Sequence, residues 1–221
     1  RMIKNVIRAY ENRINNLTWM SAETKTKAIQ KLNGITIKIG YPDKWKDYSA
    51  LTVKSPDQGG SYFDNVRNVS EWNWKKDLEK QGKPVDKTEW GMSPQTVNAY
   101  YNPSYNEIVF PAGILQPPFY NYQADEAVNY GGIGAVIGHE ISHAFDDQGA
   151  QFDGNGNLIN WWTESDLAEF KKRGDALADQ YSAIEVQDSL FINGRFTLGE
   201  NIGDLGGLLG AYDGLQLFFK E

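Results

Sequence analysis

The sequence predicts an α+β fold, mostly helical, with a small antiparallel β-sheet beside one central helix. Three observations carry this expectation. Apolar residues recur at spacings of three and four near the N-terminus, across 62–78 and after residue 166; two short apolar runs, 97–101 and 106–110, flank a turn; and Asn129 to Gly149 is a helical run containing both histidines. A chain of 221 residues with 40% apolar content can bury a full core. Its net charge of −7, with no block of like charge, supplies no footprint for nucleic acid or an anionic membrane surface. No run approaches the 18 apolar residues of a membrane span. With no cysteine, a disulfide framework is excluded and any metal must be held by His and carboxylate.

Taken in order, Ile3, Ile7, Tyr10, Ile14 and Leu17 form the apolar stripe of a first helix. Ser21 caps a second through Leu32, closed by Asn33-Gly34. Ile35, Ile37 and Ile39 then alternate with polar residues as a short strand before a turn at Gly40-Tyr41-Pro42. After a loop at Ser55 to Gly60, a helix bearing Tyr62, Phe63, Val66, Val69, Trp72 and Leu78 is stopped by Gly82 and Pro84. The character changes near Trp90, so a boundary is expected there. Val97 to Tyr101 and Asn106 to Phe110 flank Asn102-Pro103-Ser104-Tyr105 and predict a hairpin, with Pro111 ending the second strand or marking an edge. Gly131, Gly132, Gly134 and Gly138 each cost the histidine-bearing helix about 1 kcal/mol relative to Ala, which predicts that other backbone packs closely against this helix.

Asp153, Asn155, Asn157 and Glu164 stand at positions 1, 3, 5 and 12 of a calcium loop, but Leu158 occupies the position where that loop needs Gly. A tight turn between Phe152 and Leu158-Ile159 is the better account. Thr163 and Asp166 cap a long helix bearing Leu167, Phe170, Leu177 and Tyr181, and a turn at Asn193-Gly194 leads to Thr197 to Gly207.

The chemistry concentrates in Gly138-His139-Glu140-Ile141-Ser142-His143. The H-E-x-x-H spacing puts both imidazoles on one helix face, one turn apart, which suits a single metal ion, and leaves Glu140 placed to touch a water bound to that metal. A catalytic zinc site takes three protein ligands, so the third must be a carboxylate, and Glu200 is the candidate. Thr197-x-x-Glu200 also reads as a capping box, in which the Glu side chain turns back to its own helix start. Asp204, one turn beyond Glu200, favours the metal, because a carboxylate there can accept the second ring N–H of a zinc-bound histidine.

Four segments together resemble the neprilysin-like (M13) zinc endopeptidases: Asn98-Ala99-Tyr100-Tyr101, Ile108 to Phe119, Val136 to Asp147 and Gly199 to Gly207. Asn16 to Ser21 and Ile39 to Asp43 extend the likeness upstream, so nearly all of the chain is covered. The resemblance implies a gluzincin-type catalytic lobe over 91–221 and, over 1–90, the end of the roofing N-terminal lobe with its linking segment. It implies one Zn²⁺ held by His139, His143 and Glu200, Glu140 as general base and Asp204 orienting His139. It further implies that Asn98 and Ala99, on an edge strand above the metal helix, hold the backbone of a peptide substrate, and that Ile114, Phe119 and Val136 shape a pocket favouring cleavage on the amino side of hydrophobic residues. The family's downstream His and Arg have no counterpart before Glu221. The chain is therefore expected to lack a C-terminal tail and most of the N-terminal lobe, and to bind zinc yet hydrolyse peptides weakly. A peptide-binding protein without turnover is the competing reading, against which the intact Glu140 and Glu200 speak. Absence of cysteine resembles the bacterial members, giving a cell-envelope or secreted location if a leader was removed and a cytoplasmic one otherwise.

Overall fold

The computed structural model describes residues 1–221, which divide into two compact units: 1–41 with 92–221, and 42–91. One edge of this division falls near the expected boundary at residue 90. Residues 1–41, however, cluster with the later segment rather than with 42–91.

In the larger unit, α1 (Met2–Asn16) buries Val6, Ala9, Tyr10 and Ile14 at helical spacing, and α2 (Ala22–Asn33) starts at Ser21, whose hydroxyl accepts the Thr24 N–H. Next, β1 (Thr36–Gly40) pairs parallel to β3 (Glu107–Pro111), which pairs antiparallel to β2 (Tyr100–Asn102). The order is β1-β3-β2, so the antiparallel expectation holds for the hairpin alone and the sheet is mixed. Parallel pairing requires a long crossover, which the chain between Gly40 and Tyr100 supplies. Every residue of β3 is buried. Pro111 ends this central strand rather than marking an edge, which β1 and β2 occupy. Lys38 forms a 2.8 Å ion pair with the fully buried Glu107, which turns Ile37 and Ile39 to the exposed face.

The helical run before the histidines is in three pieces. A short α4 (Glu126–Asn129) passes into a π-helical turn over Tyr130–Gly134 and then into α5 (Ala135–Ser142). In that turn the Ile133 N–H donates to the Phe119 carbonyl at 2.7 Å. The Phe152–Leu158 turn forms as expected: Asp153 accepts the backbone N–H groups of Asn155 and Asn157, and Gly156 has φ +86°. Helix α6 (Glu164–Ser182) begins at Thr163, β4 (Glu185–Gln187) and β5 (Leu190–Phe191) make an exposed hairpin not foreseen in the sequence, and α7 (Leu198–Phe218) closes the unit.

The starts of α2 and α6 are tied together by one carboxylate. Asp166 accepts the Ser21 N–H and hydroxyl, while its own N–H donates to Thr163. Burial pushes this carboxyl up, but hydrogen bonds from Ser21, Thr24 and Thr163 outweigh it and hold it down at about 2. A group whose folded-state pKa is depressed stabilises the fold above its unfolded value near 3.8 and loses that contribution as pH falls towards 2. The melting temperature of D166N should therefore lie below that of the parent at pH 6, with the gap closing between pH 4 and pH 2. Paired thermal melts across that range check it.

In the smaller unit, α3 (Tyr62–Leu78) starts at Ser61, whose hydroxyl accepts the Asp64 N–H, and contains no buried residue. Its apolar stripe is mostly exposed, Tyr62 and Phe63 most of all, while Trp72 stacks on Tyr48 at 5.1 Å.

Candidate metal centre

The centre is made where α7 crosses α5. Helix α7 presents glycines along the crossing face, and the space is tight enough to require them. A Cβ on Gly207 would lie 2.6 Å from the His139 backbone nitrogen, one on Gly138 would lie 2.5 Å from the Gly207 carbonyl oxygen, and one on Gly203 would lie 2.7 Å from the His139 ring. Backbone packing thus explains Gly138, and the Phe119 carbonyl at 2.4 Å explains Gly132. It does not explain Gly131, which has nothing within 4 Å, or Gly134, whose neighbours stand at an ordinary 3.4 Å. Tyr10 of α1 fixes α5 from below, donating to the Gly138 carbonyl at 2.8 Å and meeting the Ser142 hydroxyl at 2.6 Å.

This crossing gathers one ligand atom each from His139, His143 and Glu200 within 4.8 Å of one another. The three edges are 2.9 Å between the two Nε2 atoms, 3.2 Å from His139 Nε2 to Glu200 Oε2 and 3.7 Å from His143 Nε2 to the same oxygen. Tetrahedral zinc with bonds of about 2.0–2.1 Å separates its ligand atoms by roughly 3.3 Å, so the triangle fits zinc after shifts of a few tenths of an ångström. The outward Nδ1 atoms are both engaged, His139 with Asp204 at 2.9 Å and His143 with Asp146 at 2.7 Å. With each Nδ1–H donated to its carboxylate, both Nε2 lone pairs and the Glu200 oxygen converge on one point, an arrangement that a cation satisfies.

The two readings of Glu200 are thereby separated. Thr197 forms no side-chain cap, and its hydroxyl instead takes a hydrogen bond from the Asn201 amide, while the Glu200 carboxylate faces the histidines. Asp204 stands where its spacing placed it. Asp146 was missed as a partner of His143; its position three residues after that histidine was the available signal. It is buried, and its other oxygen accepts the Gln148 and Gly149 N–H groups at 2.8 and 2.6 Å. Lys31 was missed too. Buried on α2, it donates to the Gly149 and Phe152 carbonyls, and burial pushes its ammonium down to about 8 against the pull of Asp146 and Asp153.

Glu140 is buried beside the triangle under β2. Burial pushes its carboxyl above the usual range, as does Glu200, while the two imidazoles and a hydrogen bond from the Tyr101 backbone N–H pull the other way. For His143, burial pushes down, but Asp146, Glu140 and Glu200 prevail and raise it. Asn98 and Ala99 immediately precede β2 rather than lying in it. Asn98 is exposed and its side-chain oxygen accepts the buried Ala99 N–H at 2.9 Å. Ile114 lies in the buried core, with Phe119 and Val136 packed against the same cluster. A separate 510 Å³ cavity is lined by α6, α7 and residues 147–162, without any of these three.

Comparison with known proteins shows the family of the chain. The family model described as peptidase family M13 matches residues 98–218, and a second model of that description matches residues 1–42. An endothelin-converting enzyme homolog of Locusta migratoria is 48% identical over 96% of this chain and 29% of its own length. A neutral endopeptidase of Lactobacillus helveticus is 45% identical over 94% of the chain and 32% of its own. Among solved structures, the inhibitor complex of the Mycobacterium tuberculosis zinc metalloprotease ZMP1 has a TM-score of 0.92 at 52% identity, covering 99% of this chain and 34% of that one. The chain thus spans about a third of the length of these relatives. With more than half of its residues matched by the family model, and those residues carrying the His-His-Glu triangle, the chain belongs to peptidase family M13.

Proposed function

We propose that this chain is the zinc-binding part of an endopeptidase that cleaves oligopeptides on the amino side of hydrophobic residues. The observation that carries the reading is the convergence of His139, His143 and Glu200 beside a buried Glu140. When bound, zinc supplies Lewis acidity, lowering the pKa of water towards 7 and polarising the scissile carbonyl. His139, His143 and Glu200 would hold the metal, the two rings fixed by Asp204 and Asp146. Glu140 accepts the proton of the attacking water and returns it to the departing amine, a role suited to a carboxyl raised by burial. An extended peptide adds along the edge strand β2, held by Asn98 and Ala99 immediately before it. Ile114, Phe119 and Val136 shape the apolar subsite for the residue after the scissile bond. A longer chain with the family's downstream His and Arg should be faster, because an oxyanion donor is worth about 10²–10³ in rate.

The test is cleavage of a peptide set differing at one central residue, with products identified by mass spectrometry. Scission before Phe or Leu, abolished by a chelator and restored by zinc, is the expected result. Chelator-resistant cleavage, or none before apolar residues at any enzyme concentration, would refute the reading.

A further inference from the structure

Two acids follow the second histidine. Asp146 holds the His143 ring, and the chemistry proposed above gives Asp147 nothing to do. Its Oδ2 accepts only the neighbouring Gln148 side chain, and its Oδ1 is buried with no hydrogen-bond partner. That oxygen lies 3.0 Å from where a Cβ on Gly199 would stand, with the Asp146 Oδ2 at 3.2 Å from the same point. Gly199 is the second residue of α7 and immediately precedes Glu200.

Helix α7 starts without a side-chain cap. The Thr197 hydroxyl is spent on the Asn193 carbonyl and the Asn201 amide, and the first intrahelical bond runs from the Asn201 N–H to the Thr197 carbonyl. The first-turn N–H groups of such a helix point outward without internal partners and carry roughly half a positive charge. A buried carboxylate oxygen without a donor is costly in apolar surroundings and is stabilised against such a turn. A Cβ at residue 199 would press on both carboxylates, at 3.0 and 3.2 Å.

We propose that Asp147 is a positioning residue for the metal centre: its carboxylate docks the first turn of α7 against the segment following α5 and thereby sets Glu200 opposite His139 and His143. The tandem acids then divide the work, Asp146 orienting an imidazole ligand and Asp147 orienting the helix that brings the carboxylate ligand. The proposal rests on Glu200 being a ligand.

The experiment is zinc affinity by chelator competition, with cobalt(II) absorption spectra, for the parent, D147A, D147N, E200Q and D147A/E200Q. D147A should weaken zinc binding about 10- to 100-fold and alter the cobalt spectrum, with D147N, which keeps an oxygen but no charge, lying between. Once Glu200 is gone the second change should matter little, so D147A/E200Q should match E200Q within about threefold. Unchanged affinity in D147A, or an equal loss in both backgrounds, would overturn the proposal, the latter because Asp147 would then support the fold at large. If D147A does not fold, D147N with D147N/E200Q makes the same comparison. E200Q with parental affinity would instead overturn the ligand assignment, and the proposal with it.

Discussion

Exchanging Glu140 for Gln should lower peptide hydrolysis by about 10²–10⁴-fold while leaving zinc content unchanged. The exchange is nearly isosteric, so the side chain can keep its buried place beside the histidines. It removes only the capacity to take a proton. Glu140 is not one of the three residues of the triangle, so His139, His143 and Glu200 are left as they are. Steady-state cleavage with parallel peptide-binding measurements separates two readings of the chain. An enzyme loses turnover and keeps peptide affinity in E140Q, whereas a protein that only binds peptides shows no turnover before or after the change.

Ala in place of Gly207 should destabilise the fold and weaken the metal centre together. Helix propensity alone would favour Ala by about 1 kcal/mol, so a neutral site would gain stability. Here the added Cβ would stand 2.6 Å from the His139 nitrogen and 2.7 Å from the Ala135 carbonyl oxygen, both backbone atoms that cannot rotate aside. Helix α7 must then move off α5, and overpacking of this kind costs about 1–3 kcal/mol. For a chain of this size that is a fall in melting temperature of roughly 2–12 °C, accompanied by weaker zinc binding because the histidines and Glu200 lie on opposite sides of the crossing. Gly131→Ala is the control. With nothing within 4 Å of its Cβ, it should be neutral or stabilising in the same melts and leave zinc affinity unchanged. Equal effects of the two substitutions would show that the crossing is not held at backbone contact.

The candidate His-His-Glu group was readable because its geometry is local. Four-residue spacing places His139 and His143, and again Glu200 and Asp204, on shared helix faces whatever the rest of the chain does. Whether Glu200 served the metal or its own helix start was a question of what packs beside it, which spacing alone does not contain. The glycines were half legible. Gly138 and Gly132 meet backbone as expected, but Gly131 and Gly134 look the same in sequence and meet nothing closer than ordinary contact. The sheet shows the same limit. The hairpin of β2 and β3 was evident from adjacent runs, while the parallel pairing of β1 joins Thr36 to Glu107 across the chain and has no local signal. Nor did alternation reveal that Lys38, rather than Ile37 or Ile39, turns towards Glu107. Lys31 lay hidden for a related reason: a lysine in an amphipathic helix reads as exposed, yet this one is fully buried and bonded to two loop carbonyls.

The most direct test of the metal centre is zinc stoichiometry, measured by elemental analysis of the chain purified without chelator and then dialysed against zinc, alongside E200Q treated identically. The three-ligand geometry predicts about one zinc per parent chain, with the variant losing most of it under mild chelator competition. A parent chain that takes up no zinc, or a variant that holds it as firmly as the parent, would contradict the assignment of His139, His143 and Glu200 as a single site.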